Sequence, residues 1–347
     1  MDKRELLSKT GSLQQLASIR TLSFTEGRAQ TRAVELVNGP LRFTALADKC
    51  LDVAELSYRG VNFSFLSKPG LQGRNNYDTH GQEALRSIMG GLFFTAGLEN
   101  ICAPCTIEGK DYPMHGRIRT TPAEHLCADA RWEGEEYVLE VRGEMREAEL
   151  FGENLVLRRS LRTVFGQKSF TLTDEIENQS FRDEPLMLLY HINIGYPLLD
   201  EGTRLFVPTG KVTPREEFSA PHAARWNVMD APKDNEPEYV FIHEPIPDEE
   251  GKMCACVVND KLSLGLKISW NTENLPYFME WKSVASGDYV LGLEPANSSV
   301  YGRLRHEERG DLHRLAPLAK ERNELVFTVL DGQEEIDAAL AAIRTAE

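Results

Sequence analysis

Three stretches of this 347-residue chain place a group capable of acid–base work inside or beside an oily run. His191 and Asn193 share one face of the apolar segment from Leu186 to Tyr196. Glu294 closes the apolar run that begins at Tyr289, directly before Pro295. His115 and Arg117 lie two residues apart shortly after Pro113. Burying such groups among hydrocarbon costs free energy unless they are used or paired. A carboxylate with an ordinary pKa of about 4.3 and an imidazole of about 6.5 suit proton transfer near neutral pH. Each group also has a plain structural reading. A strand histidine is often satisfied by hydrogen bonds, and a glutamate at a strand end is often solvated. Period-two alternation alone does not bring the three stretches together.

Other reactive residue types offer less. The six cysteines include Cys102 and Cys105, three apart, and Cys254 and Cys256, two apart. A zinc ribbon places two short pairs within a much shorter span. Cys254 and Cys256 fit one face of a strand as small hydrophobes, and a redox pair at Cys102 and Cys105 would want a βαβ setting. All six are expected as free thiols, with no structural zinc. Gly70 and Gly73 lack the Lys-Ser/Thr pair of a phosphate loop, no G-x-S-x-G elbow occurs, and His306-Glu307-Glu308 does not continue to a second metal-binding histidine.

The elements that must position these groups are mostly strands. Leu262, Leu264, Leu266 and Ile268 alternate with polar or small residues, as do Phe170, Leu172 and Ile176. The stretches 137–143, 155–165, 239–243, 254–258, 289–294 and 325–330 read the same way. Asn38-Gly39-Pro40, Gly166-Gln167, Asn259-Asp260, Ser286-Gly287-Asp288 and Asp331-Gly332 supply turns between them. Helical spacing appears mainly at the ends: Ile336, Leu340 and Ile343 near the C-terminus, and a short helix over 4–8, with another conceivable over 13–18. Many short strands without βαβ alternation predict an all-β antiparallel sandwich, built as a single domain across 1–347. The proline- and acid-rich stretch near 208–247 reads as an irregular excursion over its surface.

Lys and Arg total 39 against 54 Asp and Glu, a formal charge of −15. That balance argues against nucleic acid and acidic membrane surfaces as partners. No apolar run approaches the roughly 18–20 residues of a membrane span. The first twenty residues have no apolar signal segment, so a cytoplasmic location is expected.

The ordered motifs resemble the aldose 1-epimerase (galactose mutarotase-like) superfamily, in a divergent branch. They are Asp48-Lys49 with Asp52, the run from Leu85 to Asn100, His115-Gly116-Arg117, His191-Ile192-Asn193, and Gly292 to Asn297. The resemblance spans about 41–330. It implies a single large two-sheet antiparallel supersandwich and interconversion of sugar anomers by ring opening and reclosure. Carried over by motif, Glu294 is the base, His191 the acid and His115 a second sugar-contacting histidine. Arg86, Arg117 and Asn193 are candidates for hydroxyl contacts. The reaction implies no metal or organic cofactor, and a sugar or sugar derivative as the small-molecule partner, with homo-oligomerisation left open. After His191 the chain reads Ile-Asn-Ile-Gly rather than Tyr-Phe-Asn-Leu, so the sugar is not named by the motif. Two other readings would use the same residues: a non-catalytic carbohydrate-binding or regulatory sandwich, and a metal-dependent sugar isomerase with His115, His191 and Glu294 as ligands. One or both of Arg86 and Arg117 are expected to hold loop carboxylates such as Glu99 or Asp111 in preference to an acidic sugar.

Overall fold

The computed structural model describes residues 3–25, 30–73 and 80–344. Its centre is a six-stranded antiparallel sheet. In chain order the strands are β1 (Phe93–Leu98), β2 (Met187–Ile194), β3 (Thr209–Pro214), β4 (Tyr239–Pro245), β5 (Tyr277–Ala285) and β6 (Asp288–Ala296). Across the sheet they run β3-β4-β5-β6-β2-β1. An eight-stranded antiparallel sheet, from Glu124–Glu133 at one edge to Arg204–Phe206 at the other, covers one face. A five-stranded sheet drawn from the chain between Ala17 and Asn62 packs on the eight-stranded one as well, with Phe43 stacked on Phe170 at 4.6 Å and Val34, Leu36 and Leu56 in the same core.

Side-chain chemistry explains this layering. Phe170, Leu172, Ile268 and Phe327 of the large sheet meet Phe93, Ile192, Phe278 and Leu293 of the central one in the main core. Phe170 and Phe327 stack with centroids 4.6 Å apart. On the reverse face, Phe94, Met187, Leu189 and Met279 pack with Ala33, Leu46 and Ala54 of the five-stranded sheet. The central sheet is therefore buried on both sides, and a strand buried on both sides loses its alternation. Residues 187–194 are accordingly all buried. By contrast Ser169–Asn178, on the large sheet, keeps strict alternation.

The expected all-β antiparallel supersandwich is what forms, with the terminal helices Lys3–Lys9 and Gln333–Arg344. Leu13–Ser18 differs: a single 3-10 turn at Leu13–Gln15 gives way to a strand at Ala17–Phe24. The stretch 208–247 is also more than an excursion. It contributes β3 and β4 to the central sheet, joined through a 3-10 segment at Glu217–Arg225. Thr213 pairs with Ile242 and Val240 with Trp281, and the ladder ends on two prolines, Pro214 opposite Phe241 and Pro245 opposite Thr209, where edge strand β3 leaves little pairing to lose. Among the described residues, no helix is long and apolar enough to cross a membrane.

A fully buried ionic network locks the two large sheets together. The Arg159 guanidinium reaches Asp174 at 2.6 and 2.8 Å, Asp52 at 2.5 Å and the Thr95 hydroxyl at 2.8 Å. Tyr190, next to His191 on β2, donates to Asp174 at 2.8 Å. Burial raises the Asp52 carboxyl to about 6, with Arg159 and Thr95 pulling the other way.

Candidate active site

Register across the central sheet assembles the site. Ile192 pairs with Leu293 and Asn193 with Gly292 on β2 and β6, so His191 falls opposite Glu294. His191 pairs on its other side with Phe94 of β1, and Glu294 with Met279 of β5. A single row across four strands thus reads Met279, Glu294, His191, Phe94, all on the face turned away from the eight-stranded sheet. Glu294 Oε1 and His191 Nε2 stand 3.2 Å apart, with only 5% and 7% of the two residues exposed.

The imidazole is held on every side. His191 Nδ1–H donates to Asn193 Oδ1 at 2.6 Å, and the Asn193 amide returns a bond to the His191 carbonyl at 2.8 Å. This oxygen accepts only, so it selects the tautomer whose Nε2 lone pair faces Glu294. Phe94 stacks on the ring at 4.4 Å and Trp281 meets it edgewise at 5.3 Å.

His115 arrives from a tight turn. Both His115 (φ 57°) and Gly116 (φ 67°) occupy the left-handed region. A Cβ at Gly116 would lie 2.0 Å from the Gly97 carbonyl oxygen, so only glycine fits this crossing. His115 Nδ1 accepts the Cys102 N–H at 3.3 Å, leaving Nε2–H as its donor, and its ring meets His191 edgewise at 5.5 Å.

Burial sets the protonation states. Desolvation pushes the Glu294 carboxyl up to about 8, with Arg215 pulling it back and Glu238 adding to the rise. Desolvation pushes His191 down to about 4, against the Asn193 hydrogen bond. His115 falls well below the usual imidazole range through burial and the charges of His191 and Arg119. At neutral pH the pair therefore holds one proton, on the carboxyl, pointed at the imidazole lone pair. This reverses the order that the unperturbed values suggest.

Of the six residues singled out from sequence, Glu294, His191, His115 and Asn193 come together. The two arginines do not join them. Arg86 pairs with Glu83 across 3.2 Å on an exposed 3-10 turn. Arg117 is hydrogen-bonded to the buried Glu99 carboxylate and to the Asp111 carbonyl, the loop-acid arrangement expected for it. The donors of His115, His191 and Glu294 also fail to converge as a metal ligand set. Among the described residues only Glu124, His125 and Glu144 bring such atoms within 4.8 Å of one another, and that group is at the surface. Trp281, Glu238, Arg215 and Phe94 line or bias the pair but carried no signal of their own: an aromatic in a buried strand looks like core.

Comparison with solved structures identifies the class. The chain has the galactose mutarotase-like fold. A protein from Klebsiella pneumoniae described as a candidate aldose 1-epimerase superposes with a TM-score of 0.90 at 23% identity, over 100% of this chain and 91% of that one. A galactose mutarotase-like protein from Clostridium acetobutylicum gives 0.61 at 14% identity, over 91% and 99%. Galactose 1-epimerase from Lactobacillus acidophilus gives 0.55 at 11% identity, over 91% and 100%. Within that class the chain belongs to the family described as a domain of unknown function (DUF4432), whose model matches residues 28–329. No curated protein matches it.

Proposed function

We propose that this chain is a carbohydrate-binding aldose 1-epimerase-like enzyme that interconverts sugar anomers through the Glu294–His191 pair. The observation that carries this reading is the buried 3.2 Å contact between a carboxyl and an imidazole on neighbouring strands, with Asn193 fixing the ring. Ring opening needs one group to take the C1 hydroxyl proton and another to protonate the ring oxygen. Transfer of the shared proton from Glu294 Oε1 to His191 Nε2 makes a carboxylate and an imidazolium. Asn193 Oδ1 supports the imidazolium through Nδ1–H. Glu294 then removes the C1 hydroxyl proton while His191 gives its proton to the ring oxygen, and the C1–O5 bond opens. Rotation about C1–C2 and the reverse transfers return the other anomer and restore the pair. His115 Nε2–H is placed to hydrogen-bond a sugar oxygen as charge develops there.

The test is NMR exchange between anomers for a panel of free aldohexoses, hexuronates and hexose 6-phosphates. General acid–base groups contribute about 10²–10⁴-fold, so Glu294→Gln and His191→Asn should each lose turnover in that range while retaining sugar binding. Undiminished exchange in both variants refutes the assignment. Sugar binding without exchange in the wild type would instead favour a non-catalytic carbohydrate-binding protein.

A further inference from the structure

Beside the catalytic pair lies an aromatic ring fixed more firmly than packing requires. Trp281 stands opposite Gly292 in the β5–β6 register, two pairs along from Met279 and Glu294 and on the same face. A Cβ at Gly292 would approach Trp281 Cβ to 3.0 Å and Cε3 to 3.1 Å, so the missing side chain makes room for the indole to lie across β6 toward the site. The ring reaches His191 edgewise, centroids 5.3 Å apart at 71°. Its far end is tied down as well: Nε1–H donates to Glu238 Oε2 at 2.8 Å. Glu238 is exposed at the rim, with Arg215 Nη2 3.9 Å from its other oxygen. Trp281 is only partly buried, unlike Trp270 in the main core.

An aromatic that is anchored at its polar end, levelled by a glycine and open to solvent beside acid–base groups has a recognisable use. Pyranose rings carry one face of C–H bonds, which is apolar and slightly positive. That face suits the electron-rich face of an indole, while the ring hydroxyls keep their polar partners at the edge. We infer that Trp281, held by Glu238, is the platform on which the sugar ring stacks, and that the ligand class is a pyranose presenting a C–H face. Seated there, the ring lies beside Glu294 and His191, and the acidic rim at Glu238 accepts hydrogen bonds from hydroxyls. Trp281 is a positioning residue in this arrangement. The inference rests on the function proposed above, and the measurements separate the two.

The experiment uses the full chain and the same sugar panel, followed by anomer exchange and by intrinsic tryptophan fluorescence. Trp281→Ala should raise KM about tenfold or more, the scale of one lost aromatic stacking contact, with kcat changed only a few-fold. Trp281→Phe, which keeps a ring but not the Glu238 bond, should fall between. A sugar-dependent fluorescence change should appear in the wild type and in Glu294→Gln, and vanish in Trp281→Phe. An unchanged KM in Trp281→Ala overturns the platform. So does a collapse of kcat at constant KM, which would mark the indole as a prop for His191. Should no sugar show exchange, the catalytic reading fails and fluorescence alone decides: a change lost in Trp281→Phe supports the platform in a binding protein, and no change in the wild type overturns it.

Discussion

Replacing Glu294 with glutamine should stabilise the protein, by an amount that grows with pH. The carboxyl titrates near 8 when folded and near 4.5 when ordinary. The folded state therefore keeps a proton that the unfolded state releases, so stability is full below about 4.5 and is lost as pH rises through about 8. A difference of 8 − 4.5, or about 3.5 units, at about 1.36 kcal/mol each gives an upper bound of about 5 kcal/mol above pH 8. At pH 7 the same arithmetic gives about 3 kcal/mol, and at pH 5 under about 1 kcal/mol. The His191 contact at 3.2 Å offsets part of this, because a carboxylate there can draw a proton onto the imidazole. Histidine 191 itself contributes the opposite dependence, with stability lost as pH falls through about 4, but it is common to both proteins and cancels in the comparison. Glutamine keeps the shape and can donate its amide to His191 Nε2. Denaturant melts of wild type and Glu294→Gln at pH 5, 7 and 8.5 read the difference. A variant no more stable than wild type at pH 8.5, or a gap that does not widen from pH 5, would refute the reasoning. The protein would then not be holding a desolvated carboxyl at a cost to its stability.

Arg159→Met should destabilise by about 3–5 kcal/mol, since Asp52 and Asp174 would remain buried without their cation; a loss under about 1 kcal/mol in the same melts would mean the network is relaxed by water. Arg117→Ala should lower the melting temperature by freeing the buried Glu99 carboxyl, without altering any preference between a sugar phosphate and its parent sugar. A phosphate preference abolished by that substitution would reassign Arg117 to the substrate. Thiol titration should find six free cysteines in denaturant; in the native protein the exposed Cys127 should react first and the buried Cys50 only on unfolding. Fewer than six would point to a bridge or a bound metal.

Much of the scaffold was legible before any coordinates. Alternation at Leu264, Leu266 and Ile268 and at Phe170, Leu172 and Ile176 marks strands whose other face is polar, and the paired turns between strands follow from Gly, Asn and Asp. His191 and Glu294 stood out because a polar group inside an apolar run is expensive, and that cost is visible residue by residue. Of the two arginines, Arg117 found one of the loop acids expected for it, whereas Arg86 stands apart from the site its motif implied. Arg86 has Glu83 three residues away, and Arg117 finds Glu99, which is eighteen residues away in sequence. A charge takes the nearest suitable counter-charge, and nearness in space is not written in spacing.

Local chemistry therefore determined which segments are strands, which faces are oily and which polar residues are too costly to be idle. The tertiary structure decided the rest. Period two states which side of a strand a residue occupies, but not which strand lies beside it. The pairing of β2 with β6 brings together residues 103 apart (294 − 191). It took the layered burial of the central sheet to desolvate both groups, reverse their proton affinities and leave one proton between them. The same layering admitted β3, from a stretch with no clear pattern, beside β4, whose residues 239–243 already read as a strand, and with them Arg215 and Glu238 at the rim. Burial is a property of the neighbours a residue acquires on folding, and those neighbours come from every part of the chain.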